Sequence, residues 1–160
     1  DITARLVAGE LPQREPVERA GDAALVAGAA RSRIQRIAQR GPGVIRSGAG
    51  LAAAAQALAA VPTRAHEVPG VVAAPQVAEW ETTNLHQVAT VLTAAAAERT
   101  ESRGGHFRED FPTPDPAWQV RLVTRLDEEG ALRLERTDPH STGKPAVRHA
   151  PVPPTTFATA

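Results

Sequence analysis

Apolar side chains recur at helical spacing in three stretches of the chain and at alternate positions in a fourth. Val26, Ala30, Ile34 and Ile37 lie four, four and three residues apart, which puts them on one face of a helix. Asp22 is a suitable cap ahead of that helix, and Gly41-Pro42-Gly43 stops it. A second helix is predicted from Ser47, a residue type that caps well, with Leu51, Ala55, Leu58 and Val61 on one side and Pro62 at its end. The third and longest has Pro75 in its first turn and a stripe of Val77, Trp80, Asn84, Val88, Val91 and Ala95, widened by Leu85 and Leu92. The core expected from these faces is Val26, Ile34, Ile37, Leu51, Leu58, Trp80, Val88, Val91 and Leu92.

Around this bundle the pattern changes. Residues 1–8 read as the end of a helix stopped by Gly9 and Pro12, and 9–21 as a Pro-rich, charged linker. Residues 62–74 form a connector, and 101–117 are polar and rich in proline. Trp118, Val120 and Leu122 then alternate with Gln119 and Arg121, which is strand periodicity. Asp127-Glu128-Glu129-Gly130 can turn the chain into Leu132 and Leu134, so a β-hairpin is expected over 118–135. The last 25 residues, with five prolines, are expected to be loose unless docked. The fold class is therefore mainly α: a three-helix bundle, a long loop, a short hairpin and an extended C-terminal tail. The predicted units are 1–21, 22–117 and 118–160.

Composition narrows the chemistry. A chain of 160 residues has room for one core, and with aromatics at 3% that core must be built from Ala, Val, Leu and Ile. Zero net charge gives no electrostatic reason to expect nucleic acid or anionic membrane as a partner. The absence of cysteine excludes disulfides, thiolate metal sites and thiol catalysis. Methionine is absent too, and a chain that opens Asp1-Ile2-Thr3 is expected to be part of a longer polypeptide. No run of about 18 apolar residues or signal peptide is present, which makes the cytoplasm the expected compartment.

Most local motifs have ordinary explanations. Gly48-Ala49-Gly50-Leu51-Ala52-Ala53 fits a G-x-G-x-x-A pattern, but the preceding Gly43-Val44-Ile45 is too short for a buried first strand, and no second strand ending in an acid follows. A glycine-softened helix start is the better reading. The five histidines form no i, i+4 pair and no acidic cluster, so a metal site is not expected; His86 is expected to face solvent. Ser47 and Ser102 lack a nucleophile-elbow setting. Arg31, Arg33, Arg36 and Arg40 read as a solvated helix face.

The exception is Arg99-Thr100-Glu101-Ser102-Arg103-Gly104-Gly105-His106-Phe107-Arg108-Glu109-Asp110-Phe111-Pro112, which crowds charge and two glycines into a helix exit. Arginines suit the negative end of a helix, and Gly104 and Gly105 can terminate it. Exposed ion pairs contribute only about 0–1 kcal/mol each, so these groups exceed what one helix end needs. The residues alone are accounted for by a helix C-cap with a solvated charge cluster; the sharper expectation is that they bridge to another domain, leaving Arg103→Ala mild within this chain. The candidate interface residues are Arg99, Glu101, Arg103, His106, Arg108 and Asp110.

This segment resembles the R-x-E-S-R-G-x-H-x-R-x-D-[YF]-P block of the succinate dehydrogenase, fumarate reductase and L-aspartate oxidase flavoproteins. Asn84-Leu85 ahead of it, and Gly43-Val44-Ile45-Arg46 with Gly50-Leu51, are similar to further features of that family, so the resemblance spans about residues 1–126. Within the family, Phe111-Pro112 followed by Asp115, Trp118 and a short hairpin looks like the L-aspartate oxidase pattern. The resemblance implies a parent flavoenzyme that oxidises L-aspartate to iminoaspartate with FAD in NAD biosynthesis, and quinolinate synthase as consumer of the product. It also implies upstream FAD-binding and capping domains as the partners of this helical part. The family's flavin fingerprint and substrate-binding residues match nothing here, so no catalytic, cofactor-binding or metal residue is carried over. The alternatives are a free-standing helical interaction module and the equivalent part of a succinate dehydrogenase or fumarate reductase subunit.

Overall fold

The computed structural model describes residues 2–9, 25–63, 75–127 and 131–138. In chain order the elements are α1 (Ile2–Val7), α2 (Arg31–Arg40), β1 (Ile45–Arg46), α3 (Gly48–Ala59), α4 (Val77–Glu98), β2 (Phe107–Arg108), β3 (Arg121–Leu126) and β4 (Leu132–Thr137). Helices α2, α3 and α4 pack on one another, and β3 pairs antiparallel with β4. The mainly α architecture with a terminal hairpin is as the periodicity predicts. Asp22, the hairpin turn at 128–130 and the tail from 139 lie outside the described residues.

α1 ends where expected, with Gly9 at φ 68°, a backbone conformation that glycine adopts without steric penalty. α2 begins nine residues after the predicted cap, behind a single 3-10 turn at Gly28–Ala30. Val26 is still in the core, but on extended backbone: it bridges to Thr63, and its N–H donates to Thr83 Oγ1 at 2.8 Å. Added to Gly28, a Cβ would meet Ala78 Cβ at 3.1 Å. The close pass over α4 therefore overrides the helical spacing in this segment. α2 stops at Gly41, where a Cβ would collide with Ala54 Cβ at 2.3 Å, so the glycine lets the end of α2 lie directly on α3.

α3 is an alanine-rich helix, favoured by intrinsic propensity. Ser47 caps it as predicted, its Oγ accepting from Gly50 N at 3.2 Å. Leu51, Ala54 and Leu58 face inward, so Ala54 replaces the expected Ala55. The central cluster is Val26, Ile34, Leu58, Val61 and Ala89, with Ile37 and Leu85 partly buried against it.

α4 corrects the sequence reading most. Pro75 lies ahead of the helix, and Gln76 is its N-cap, with Glu79 Oε2 accepting from Gln76 N at 2.8 Å. The buried face carries Thr82, Thr83, Ala89, Thr90, Thr93 and Ala96; Trp80, Val88 and Leu92, expected in the core, are exposed, as is Val77 of the expected stripe, and Val91 is half-buried. The threonines enter the core because each hydroxyl donates back to the carbonyl four residues earlier: Thr82 to Ala78, Thr83 to Glu79, Thr90 to His86 and Thr93 to Ala89, at 2.6–2.9 Å. That bond satisfies the polar atom locally and leaves the methyl to pack. His86, expected in solvent, also turns inward, Nε2 donating to Leu58 O at 2.9 Å near the end of α3.

Two further differences concern strands. β1 and β2 form a parallel pair, Ile45 opposite Phe107 and Arg46 opposite Arg108, which sequence spacing did not suggest. The hairpin is shifted: Trp118 closes a 3-10 turn at Pro116–Trp118, held by Asp115 Oδ1 accepting from Ala117 N, and the strands start at Arg121 and run to Thr137.

Candidate functional site

The charged segment leaves the C-terminus of α4 and folds into two ionic networks. In the first, Glu101 is fully buried. Its Oε1 accepts from Arg99 Nη1 at 2.6 Å and Arg103 Nε at 2.9 Å, and its Oε2 from Arg103 Nη2 and Asp115 N, both at 2.9 Å. The Arg103 hydrogen bonds, helped by Asp115 N–H and Arg99, hold the Glu101 carboxyl down at about 2, against the opposing effect of burial. Arg99 reaches on to the carbonyls of Trp118 and Val120 at 2.9 and 2.8 Å, attaching the hairpin entrance to the helix exit.

The second network joins two helix ends. Arg108 is 3% exposed, and its Nη1 donates to the carbonyls of Ala96, Ala97 and Arg99 at 2.9–3.3 Å, where α4 leaves carbonyls unpaired. Its Nε and Nη2 make a forked contact to Asp110 at 2.8 and 2.7 Å. Asp110 Oδ2 in turn accepts from Gly48 N at 2.9 Å, at the start of α3. A cation therefore sits at the negative end of one helix and an anion at the positive end of another, both favourable placements. Arg108, then Gly48 N–H, hold the Asp110 carboxyl well below the usual carboxylate range.

Gly48 has a steric role in this joint, because a Cβ there would lie 2.9 Å from Asp110 Oδ2. The G-x-G pattern thus admits an internal carboxylate to the helix N-terminus. Gly48 N–H is engaged by that carboxylate, so these residues do not fit the pyrophosphate of a dinucleotide. Ser102 is similarly occupied: its Oγ accepts from Arg108 N at 2.9 Å and donates to Phe111 O at 2.8 Å. A hydroxyl so held is a structural bridge, not a nucleophile. His106 Nε2 donates to Arg99 O at 3.2 Å, and Nδ1 faces Arg46 Nη1 at 3.4 Å. Burial, and the positive charges of Arg46, Arg99 and Arg108, lower its pKa against the opposing hydrogen bond to Arg99 O, and so favour the neutral ring.

All six candidate residues are thus brought together, but not equivalently. Glu101 and Arg108 point inward, whereas Arg103 keeps 40% of its side chain exposed. Arg99, Arg103 and His106 line an open depression of about 280 Å³ with Trp118, Gln119 and Val120. Trp118 lies under Arg136 at 3.8 Å, and Arg136 also pairs with Glu98 at 2.7 Å. Arg46, Gly48, Ser102 and Asp115 were not among the expected site residues, although each lies in a segment that stands out in the sequence: residues 43–46, the G-x-G-x-x-A pattern, the charged block and residues 111–118. The low value of exposed ion pairs does not apply to Arg103, because its partner is buried. Among the described residues no group of His, Asp or Glu could hold a metal ion.

Residues 31–157 match the family described as fumarate reductase flavoprotein C-term. The chain belongs to that family. It is 44% identical over 113 residues to an L-aspartate oxidase of Streptomyces coelicolor, a match covering 68% of this chain and 20% of that protein. It is 41% identical over 56 residues to a succinate dehydrogenase flavoprotein subunit of Rickettsia conorii, covering 34% and 9%. In fold it is similar to a chain of E. coli quinol fumarate reductase, with a TM-score of 0.50 at 19% identity over 91% of this chain and 25% of that one. It therefore spans about a fifth to a quarter of the proteins it matches over most of its length. The family assignment fits the site: the block that carries the resemblance is the part that fastens α3, α4 and the hairpin together. Among the described residues no helix is long and apolar enough to cross a membrane.

Proposed function

We propose that this chain is the C-terminal helical domain of a cytoplasmic L-aspartate oxidase, in which FAD oxidises L-aspartate to iminoaspartate for NAD biosynthesis. The supporting observation is the 113-residue match at 44% identity to an L-aspartate oxidase, twice the length of the succinate dehydrogenase match. The role of the chain in that enzyme is structural. Residues 1–21 lead out of the flavin-binding part, 22–117 form the bundle with its charged loop, and 118–160 form the hairpin and tail. FAD and the substrate are held by the remainder of the polypeptide, and quinolinate synthase takes up the product.

The six-residue block is assigned to the contact with the flavin-binding and capping domains, in a graded way. Arg99, Arg103 and His106 border the open depression, and Asp110 is partly exposed, so these meet the neighbour. Glu101 and Arg108 are buried inside the chain and act by holding the others in place.

The test is to purify the whole polypeptide that contains this chain, load it with FAD and follow flavin bleaching without oxygen. L-aspartate should bleach it and succinate should not. Bleaching by succinate alone would place the protein in the succinate dehydrogenase branch, and a polypeptide that takes up no flavin would refute the reading.

A further inference from the structure

The stripe that the periodicity assigned to the core of α4 is real, but it faces away from the bundle. Val77 is 74% exposed, Trp80 47%, Val88 56% and Leu92 56%. They lie on one side of a single helix, opposite the buried threonine and alanine face, and extend over about 22 Å at a rise of about 1.5 Å per residue. Between Thr82 and Ala97 there is no Asp, Glu, Lys or Arg, the one histidine is bonded inward to Leu58 O, and Glu81, the charged residue on the outer side, is paired with Arg31 at 2.6 Å. A helix whose larger apolar residues point outward while its small and hydroxyl residues point inward is built to be covered on both sides.

We infer that this outer face of α4 is a docking surface for the rest of the same polypeptide, which presents a complementary apolar surface to it. The inference rests on the reading that the chain is one part of a longer flavoprotein. The length of such a protein favours this occupant over a second copy of the chain. The relatives matched over most of the chain are four to five times its length, so most of such a protein is available to cover the face. Within one polypeptide even a narrow stripe can serve, because tethering makes the contact intramolecular.

The experiment introduces a benzophenone amino acid in the intact polypeptide, as Leu92→p-benzoylphenylalanine and Val88→p-benzoylphenylalanine. Arg36→p-benzoylphenylalanine on the exposed side of α2 serves as control. After irradiation the crosslinked peptides are identified by mass spectrometry, and flavin content is measured on the same sample. Positions 88 and 92 should crosslink in high yield, within one polypeptide, to residues outside this 160-residue chain, while position 36 should not. Crosslinks between two polypeptides, crosslinks to this chain's own residues, or yields no higher than the control would each overturn the inference. A polypeptide that crosslinks as expected but holds no flavin would refute the functional reading and leave the docking surface standing; a flavin-loaded one without crosslinks would do the reverse.

Discussion

Glu101 shows at the scale of one residue how a charge is kept inside this chain. Four donors from Arg99, Arg103 and Asp115 meet its two oxygens, so the ionised form is favoured in the folded state and the carboxyl is held at about 2 instead of 4.5. A depressed folded-state pKa gives stability that is complete above the unfolded value and fades as pH falls through the folded one. Glu101→Gln should therefore lower the melting temperature of this chain at pH 6 to 7, with a difference from wild type that shrinks between about 4.5 and about 2. A constant difference across that window would show that the ionised form is not the one the network recognises. The sequence made the block conspicuous through its charge density. It could not assign partners, since Arg108 reaches Asp110 two residues on and also Ala96, twelve residues back; in a loop, no spacing rule selects between such reaches.

Among the elements, α4 separates what periodicity reveals from what it hides. The 3.6-residue repeat located the helix and its most apolar stripe, but which stripe meets α2 and α3 depends on whether hydroxyls can be satisfied on the inside, and that is decided by local geometry. Thr83 and Thr93 offer a matched comparison. Both donate to a carbonyl four residues back, but among the described residues only Thr83 is seen also to accept, from the buried Val26 N–H. Thr83→Val should cost about 1–3 kcal/mol by leaving that buried donor unsatisfied, whereas Thr93→Val should be close to neutral; equal effects in chemical denaturation would contradict the assignment. The apolar positions divide likewise. Ile34→Ala, at a buried site, should cost about 2–5 kcal/mol, and Leu92→Ala, on the outer face, less than about 0.5 kcal/mol in this chain. A large loss from Leu92→Ala would restore the original core assignment. The position of Val26 was legible, its extended backbone was not, because the close pass of Gly28 over Ala78 is a tertiary fact.

For the whole molecule, the helices, hairpin and family were legible, and the wiring between them was not. The block that carries the family resemblance turned out to be a joint: Arg108 and Asp110 connect the end of α4 to the start of α3, while Arg99, Glu101 and Arg103 connect the same helix end to the hairpin entrance. The parallel β1–β2 pair lies in the same joint, with Glu109 N donating to Arg46 O at 2.8 Å. These charges hold this chain together, and the contact proposed for them with a neighbouring domain comes second to that. The most direct test is denaturant unfolding of the 160-residue chain with Arg108→Ala. Hydrogen bonds to charged groups contribute about 1.5–3 kcal/mol, and Arg108 leaves several carbonyls and a carboxylate without their partner, so a loss of at least that size is expected in the isolated chain. An unchanged transition there, with damage appearing only in the whole polypeptide, would show that the block is an interface alone.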